Sequence, residues 1–84
     1  MKICVQDKIE SVEDNFDIVV CQNKGITQFY TCDTIVQSVL LNTIALLGYN
    51  TYLYDICENN VELKFNTNEE LNNLLNMLKC KILL

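Results

Sequence analysis

Hydrophobic positions along this chain change period several times, and the changes mark out its elements. Residues 2–5 alternate as a short strand does, and Ile9 and Val12 allow that strand to continue or to pair back. Glu13, Asp14 and Asn15 break the pattern. Residues 16–21 form one β-branched run and residues 26–30 another, joined by Gln22-Asn23-Lys24-Gly25, which predicts a hairpin. From Ile35 the spacing becomes helical, through Val36, Val39, Leu40, Ile44, Leu46 and Leu47. Thr31 and Asp33 can each cap that helix, and Gly48 sits where a left-handed C-terminal cap is expected. Its polar arc, Thr34, Gln37, Ser38 and Asn42, is interrupted by Leu41 and Ala45. A helix apolar over more than half its circumference is expected to be deeply buried or covered by a second chain.

Residues 51–57 read as a strand with large side chains on both faces: Tyr52, Tyr54 and Ile56 on one, Leu53 and Cys57 on the other. After a turn at Glu58-Asn59-Asn60, the stretch Val61-Glu62-Leu63-Lys64-Phe65 alternates strictly, with Val61, Leu63 and Phe65 inward. Thr67-Asn68-Glu69-Glu70 has the form of a capping box. Leu71, Leu74, Leu75 and Leu78 then recur at helical spacing, opposite Asn68, Asn72, Asn73 and Asn76, and Lys79 and Lys81 suit the negative helix end. The predicted fold is an α+β two-layer sandwich of order β-β-α-β-β-α, with an extra short N-terminal strand. A mainly antiparallel sheet of four to five strands would carry both helices, near 33–47 and 67–80, on one face. The other face would keep either Val19 and Cys21 or Ile18 and Val20, so it would not be uniformly polar.

Composition bounds what such a fold can do. The 84 residues are 50% hydrophobic and 20% charged, which excludes disorder and leaves room for one domain, residues 1–84, with a small core. Eleven acids against six lysines, with no arginine or histidine, give a net charge of −5. Gly, Ala, Arg and Pro together supply three residues and Asn eleven, the composition of an AT-rich genome. Without arginine there is no planar fork for bidentate recognition of phosphate. The N-terminus lacks the apolar core of a signal peptide. The uncharged run over residues 34–54 is broken by Gln37, Ser38, Asn42, Thr43, Asn50 and Thr51, so no membrane span is expected. The five cysteines form no C-x-x-C pair, which points to small buried thiols in a reducing cytoplasm (a host cytoplasm for a viral protein).

The chemistry left to such a chain is narrow. With no histidine, serine–histidine and cysteine–histidine catalysis are excluded, and no metal or other cofactor is expected. Cys32, just ahead of a helix start, is the candidate for a reactive thiol, although the Asp33 carboxylate beside it opposes thiolate formation. Glu10, Glu13, Asp14 and Asp17 gather four carboxylates in eight residues but lack the alternation of a calcium loop; they read as a solvated acidic surface for a basic protein partner. Scattered lysines in an acidic chain argue against direct nucleic-acid binding. Leu41, Tyr52 and Tyr54 are the expected self-association residues of a homodimer. The reading is a small acidic non-enzymatic interaction protein, of the kind by which viruses and mobile elements inhibit nucleic-acid-handling enzymes. A thiol-dependent enzyme or redox sensor built on Cys32 is the alternative.

Overall fold

The computed structural model describes residues 1–6 and 15–82. Its elements run β1 (Ile3–Gln6), β2 (Ile18–Asn23), β3 (Ile26–Tyr30), α1 (Thr34–Leu46), a 3-10 turn (Asn50–Tyr52), β4 (Leu53–Ile56), β5 (Asn60–Leu63) and α2 (Asn68–Lys79). The five-stranded sheet has the order β1-β2-β3-β5-β4, with β1 parallel to β2 and every other pairing antiparallel. This is the α+β sandwich that the pattern predicts, with the extra N-terminal strand present.

The predicted β2–β3 hairpin forms around a two-residue turn. Lys24 (φ 53) and Gly25 (φ 80) both occupy the left-handed region, matching the right-handed twist of the flanking strands. Strand β2 begins two residues later than its apolar run and extends to Asn23, because Gln22 and Asn23 continue the ladder opposite Thr27 and Ile26. Pairing, rather than hydrophobicity, sets that boundary.

Helix α1 is capped by Asp33, whose Oδ1 accepts the Ile35 and Val36 amides at 2.8 and 3.4 Å. Thr31 Oγ1 in turn accepts the Asp33 amide at 3.2 Å, so both candidate caps take part. Gly48 closes the helix with φ 76 as expected. The buried face is Val36, Leu40, Thr43 and Ile44, while Ile35 and Leu46 are 65% and 70% exposed. The expectation of a deeply buried helix is corrected accordingly. A face centred on the i, i+4, i+8 positions Val36, Leu40 and Ile44 leaves Ile35 and Leu46 turned too far around the wheel to reach the sheet. Leu41 lies half-buried against the core rather than out in the polar arc.

A second correction falls on residues 51–57, which are not one strand. Asn50–Tyr52 is a 3-10 turn, and β4 covers only Leu53–Ile56, with its register shifting between Leu53 and Asp55. The extra residue, Tyr54, breaks the alternation that would have put Tyr52 and Tyr54 on one face. Tyr52 packs against Tyr49 and Phe65 with ring centroids 5.2 and 5.9 Å away, whereas Tyr54 is 63% exposed.

Strand β5 ends at Leu63, and Phe65 packs against the core beyond it. The capping box of α2 is complete: Thr67 Oγ1 accepts the Glu70 amide at 3.3 Å and Glu70 Oε1 accepts the Thr67 amide at 3.0 Å. Leu71, Leu74, Leu75 and Leu78 are buried while Asn68, Asn72, Asn73 and Asn76 are exposed, as their spacing dictates. The helix stops at Lys79, and the Met1 ammonium donates to the Lys81 carbonyl at 2.6 Å. Both helices meet Ile18, Val20, Phe29, Val61 and Leu63 on one sheet face. The other face carries Val19 and Cys21, both buried, beside a polar strip formed by Gln28, Tyr30, Asn60 and Glu62. No helix among the described residues is long and apolar enough to cross a membrane.

Candidate functional site

The β4–β5 hairpin gathers the molecule's most distinctive described surface. Over residues 53–63 the sequence holds three acids, Asp55, Glu58 and Glu62, and no lysine. Asp55 lies directly opposite Glu62 in the ladder, so two carboxylates share one place on the sheet, an arrangement that costs stability unless neighbours compensate. Partial compensation is visible: Glu62 Oε1 accepts Gln28 Nε2 and Asn60 Nδ2, each at 3.0 Å. Tyr54 and Ile56, 63% and 52% exposed, flank Asp55 along the strand. Helix α1 is tied to the same end, because Gln37 Nε2 donates to the Cys57 carbonyl at 3.0 Å, one turn along from the Asp33 cap. Ile56 pairs with the core-facing Val61 and Asp55 with Glu62, so alternation sets Ile56 on the opposite face of the hairpin from these two carboxylates.

Two thiols border this surface. The Cys57 thiol donates to Asp55 Oδ2 at 3.3 Å, and that carboxylate, with lesser help from Glu62, raises the Cys57 pKa above its ordinary value. A negative neighbour disfavours the thiolate, so Cys57 is held in its less nucleophilic form. Cys32, exposed immediately before the Asp33 cap, donates to the Tyr30 hydroxyl at 3.6 Å. The Tyr30 hydroxyl is itself pushed up in pKa, chiefly by Cys32. Among the described residues no group of three histidine, cysteine, aspartate or glutamate side chains is placed to hold a metal.

Of the acids expected to meet a partner, Glu10, Glu13 and Asp14 lie outside the described residues. Asp17 is in local structural use: its Oδ2 accepts the Lys2 amide at 2.7 Å while its own amide donates to the Lys2 carbonyl at 2.8 Å. The three residues expected to self-associate are separated. Leu41 and Tyr52 pack against the core, and Tyr54 faces solvent. Sequence reasoning passed over Asp55, Glu58 and Glu62 as an acidic surface, though a lysine-free hairpin was there to be read. No protein-family model, curated protein or solved structure matches the chain.

Proposed function

We propose that this chain is a non-enzymatic protein-interaction module whose β4–β5 hairpin engages a basic protein partner. The observation that carries the reading is that one hairpin exposes Tyr54 and Ile56 and also carries Asp55, Glu58 and Glu62 with no lysine. Apolar and aromatic side chains supply the desolvated centre of such a contact, and rim carboxylates steer a cationic surface toward it. An inhibitor that occupies the phosphate-binding surface of a nucleic-acid-handling enzyme fits this charge and size. A homodimer on the same hairpin is less favoured, because a second copy brings Asp55 and Glu62 against their own duplicates.

The test is capture with the intact protein as bait in an extract of its source cell, followed by affinity measurement on the captured protein. A basic partner is expected, with affinity that falls as salt rises. Asp55→Asn with Glu58→Gln should slow its association and flatten the salt dependence. A partner of acidic surface, or affinity indifferent to both salt and the double substitution, refutes the reading. The thiol alternative is separated by alkylation: Cys32→Ser leaves the captured complex intact here and abolishes it there.

A further inference from the structure

The two edges of the sheet differ in what they offer a further strand. At the β4 edge the register shifts between Leu53 and Asp55, and Asp55 Oδ1 takes the Ile56 amide at 2.9 Å. Strand β1 forms the other edge. It is equally short, at four residues, but its register against β2 is unbroken from Ile3 to Gln6.

The Ile18 amide donates to the Lys2 carbonyl at 3.3 Å, which fixes the alternation of this parallel ladder. The backbone groups of Cys4 turn toward β2, and the N–H and C=O groups of Ile3 and Val5 turn away from it. Among the described residues nothing pairs with that outer side. The edge also lacks the protections that natural edges carry, such as lysine, proline or a bulge. In a chain of net charge −5, Ile3-Cys4-Val5-Gln6 holds no charge and no proline. Val5 is 64% exposed, although it lies on the same face of β1 as Ile3 and opposite the buried Val20.

We propose that β1 is the docking edge for a second copy of this chain, joined by antiparallel β1–β1 pairing about a two-fold axis at Cys4. Ile3 of each copy then lies opposite Val5 of the other, and the outward groups of these residues form four hydrogen bonds with none left over. On the core-facing side the exposed Val5 gains Ile3 of the second copy as an apolar partner, and symmetry makes this contact twice. On the other side Cys4 meets its own copy, and extending the ladder by one residue sets Lys2 opposite Gln6. Gln6 Oε1 has no hydrogen-bond partner among the described residues, and Lys2 of the second copy brings it a donor.

No position in this register opposes like charges, the objection that stands against a dimer on the β4–β5 hairpin. One register satisfies the four backbone groups, both apolar pairs and Gln6 together, and this selects a second copy over an unrelated strand. Two five-stranded sheets become one continuous sheet with the helices of both copies on the same face. Each copy uses its β1 edge once, so assembly closes at two. The hairpin lies at the opposite edge, so the proposal stands whatever the partner of that surface proves to be.

The test is sedimentation equilibrium of the full chain from micromolar to millimolar concentration, with amide hydrogen exchange read by NMR at both ends of that range. The molar mass should rise from 9.7 kDa toward twice that value. The Ile3 and Val5 amides should exchange about tenfold more slowly at high concentration. Val5→Lys, at a position exposed in the single copy, should weaken association about tenfold, while Tyr54→Lys at the opposite edge leaves it unchanged. The exchange data come from the parent protein and stand whether or not Val5→Lys folds. A mass that stays at 9.7 kDa throughout, a dimer whose Ile3 and Val5 amides exchange as they do in the monomer, or a folded Val5→Lys that associates as tightly as the parent would overturn the proposal. Loss of the dimer in Tyr54→Lys would overturn it too, by placing the contact on the hairpin.

Discussion

Removing the Thr67 hydroxyl probes the N-terminal cap of the second helix. Thr67 stands at the N-cap in extended conformation (φ −139, ψ 156), and its Oγ1 accepts the Glu70 amide. In Thr67→Ala that acceptor disappears, while the return arm survives because Glu70 Oε1 still takes the backbone amides of Asn66 and residue 67. The loss is therefore one arm of the box together with the hydroxyl's own donation to Glu70 Oε1 at 3.3 Å, about 1 kcal/mol in all. For a chain of this size that lowers the thermal midpoint by roughly 4–8 °C. Thr67→Ser keeps the oxygen and should stay close to the parent. Urea unfolding followed by far-UV circular dichroism measures the difference, with an unchanged m-value showing that the unfolded state is unaffected. A Thr67→Ala midpoint equal to that of the parent would sink the argument, since it would mean that the cap contributes nothing in this context.

The same carboxylate gives the cap a pH dependence whose sign can be worked out. The Tyr52 hydroxyl donates to Glu70 Oε2, and this contact first, then the Thr67 and Asn66 donors, holds the Glu70 carboxyl below its ordinary pKa. The folded state thus binds this proton less readily than the unfolded one. The stabilisation is present above the unfolded value, about 4.3, and is lost as pH falls through the folded value. In Tyr52→Phe the largest cause of the lowering is gone, so the acid decline of stability should shift toward higher pH and become shallower. An identical acid limb in parent and variant means that the hydroxyl does not perturb Glu70.

Two further outcomes follow from local geometry. In Asp55→Asn the carboxylate that raises the Cys57 pKa is removed, so Cys57 should alkylate faster at neutral pH, read by mass spectrometry of the labelled peptide; an unchanged rate means that Asp55 does not govern the thiol. Lys24 holds a left-handed conformation that asparagine adopts more readily, so Lys24→Asn should raise stability by about 0.5 kcal/mol, and a lower unfolding midpoint would show that the lysine makes a stabilising contact of its own.

How far the fold was legible depends on how local each determinant is. The α2 boundaries, the Thr67 box, the four buried leucines and the Gly48 cap follow from residues within a turn of one another, and each stands where the sequence puts it. Tyr52 and Tyr54 were misread because a period of two holds only while the ladder is regular. The register shift that separates them arises from pairing with β5, which the isolated run does not encode. Leu41 and Leu46 show the same limit on a helix. With seven apolar positions available, the face that docks is chosen by the sheet beneath it, so Leu46 is left out and Leu41 drawn in. The lysine-free acidic run over residues 53–63 is open in the sequence, but Asp55 and Glu62, seven residues apart, become neighbours only through the antiparallel register.

That register also constrains how the hairpin can be used. Strand β4 is a sheet edge, and an open edge invites a further strand. Three features work against that here. The strand has only four residues, the extra residue at Tyr54 disturbs its pairing geometry, and Asp55 Oδ1 accepts the Ile56 amide at 2.9 Å. In the alternation set by the Cys57–Asn60 backbone pair, the Ile56 amide is the one directed away from β5, so the donor an incoming strand would need is already occupied. Asp55 therefore does two things with one carboxylate. One oxygen closes the edge and the other holds the Cys57 proton. The β4 edge is thereby a poor template for strand addition. On the reading proposed above, contact at this end is then made by side chains rather than by the β4 backbone.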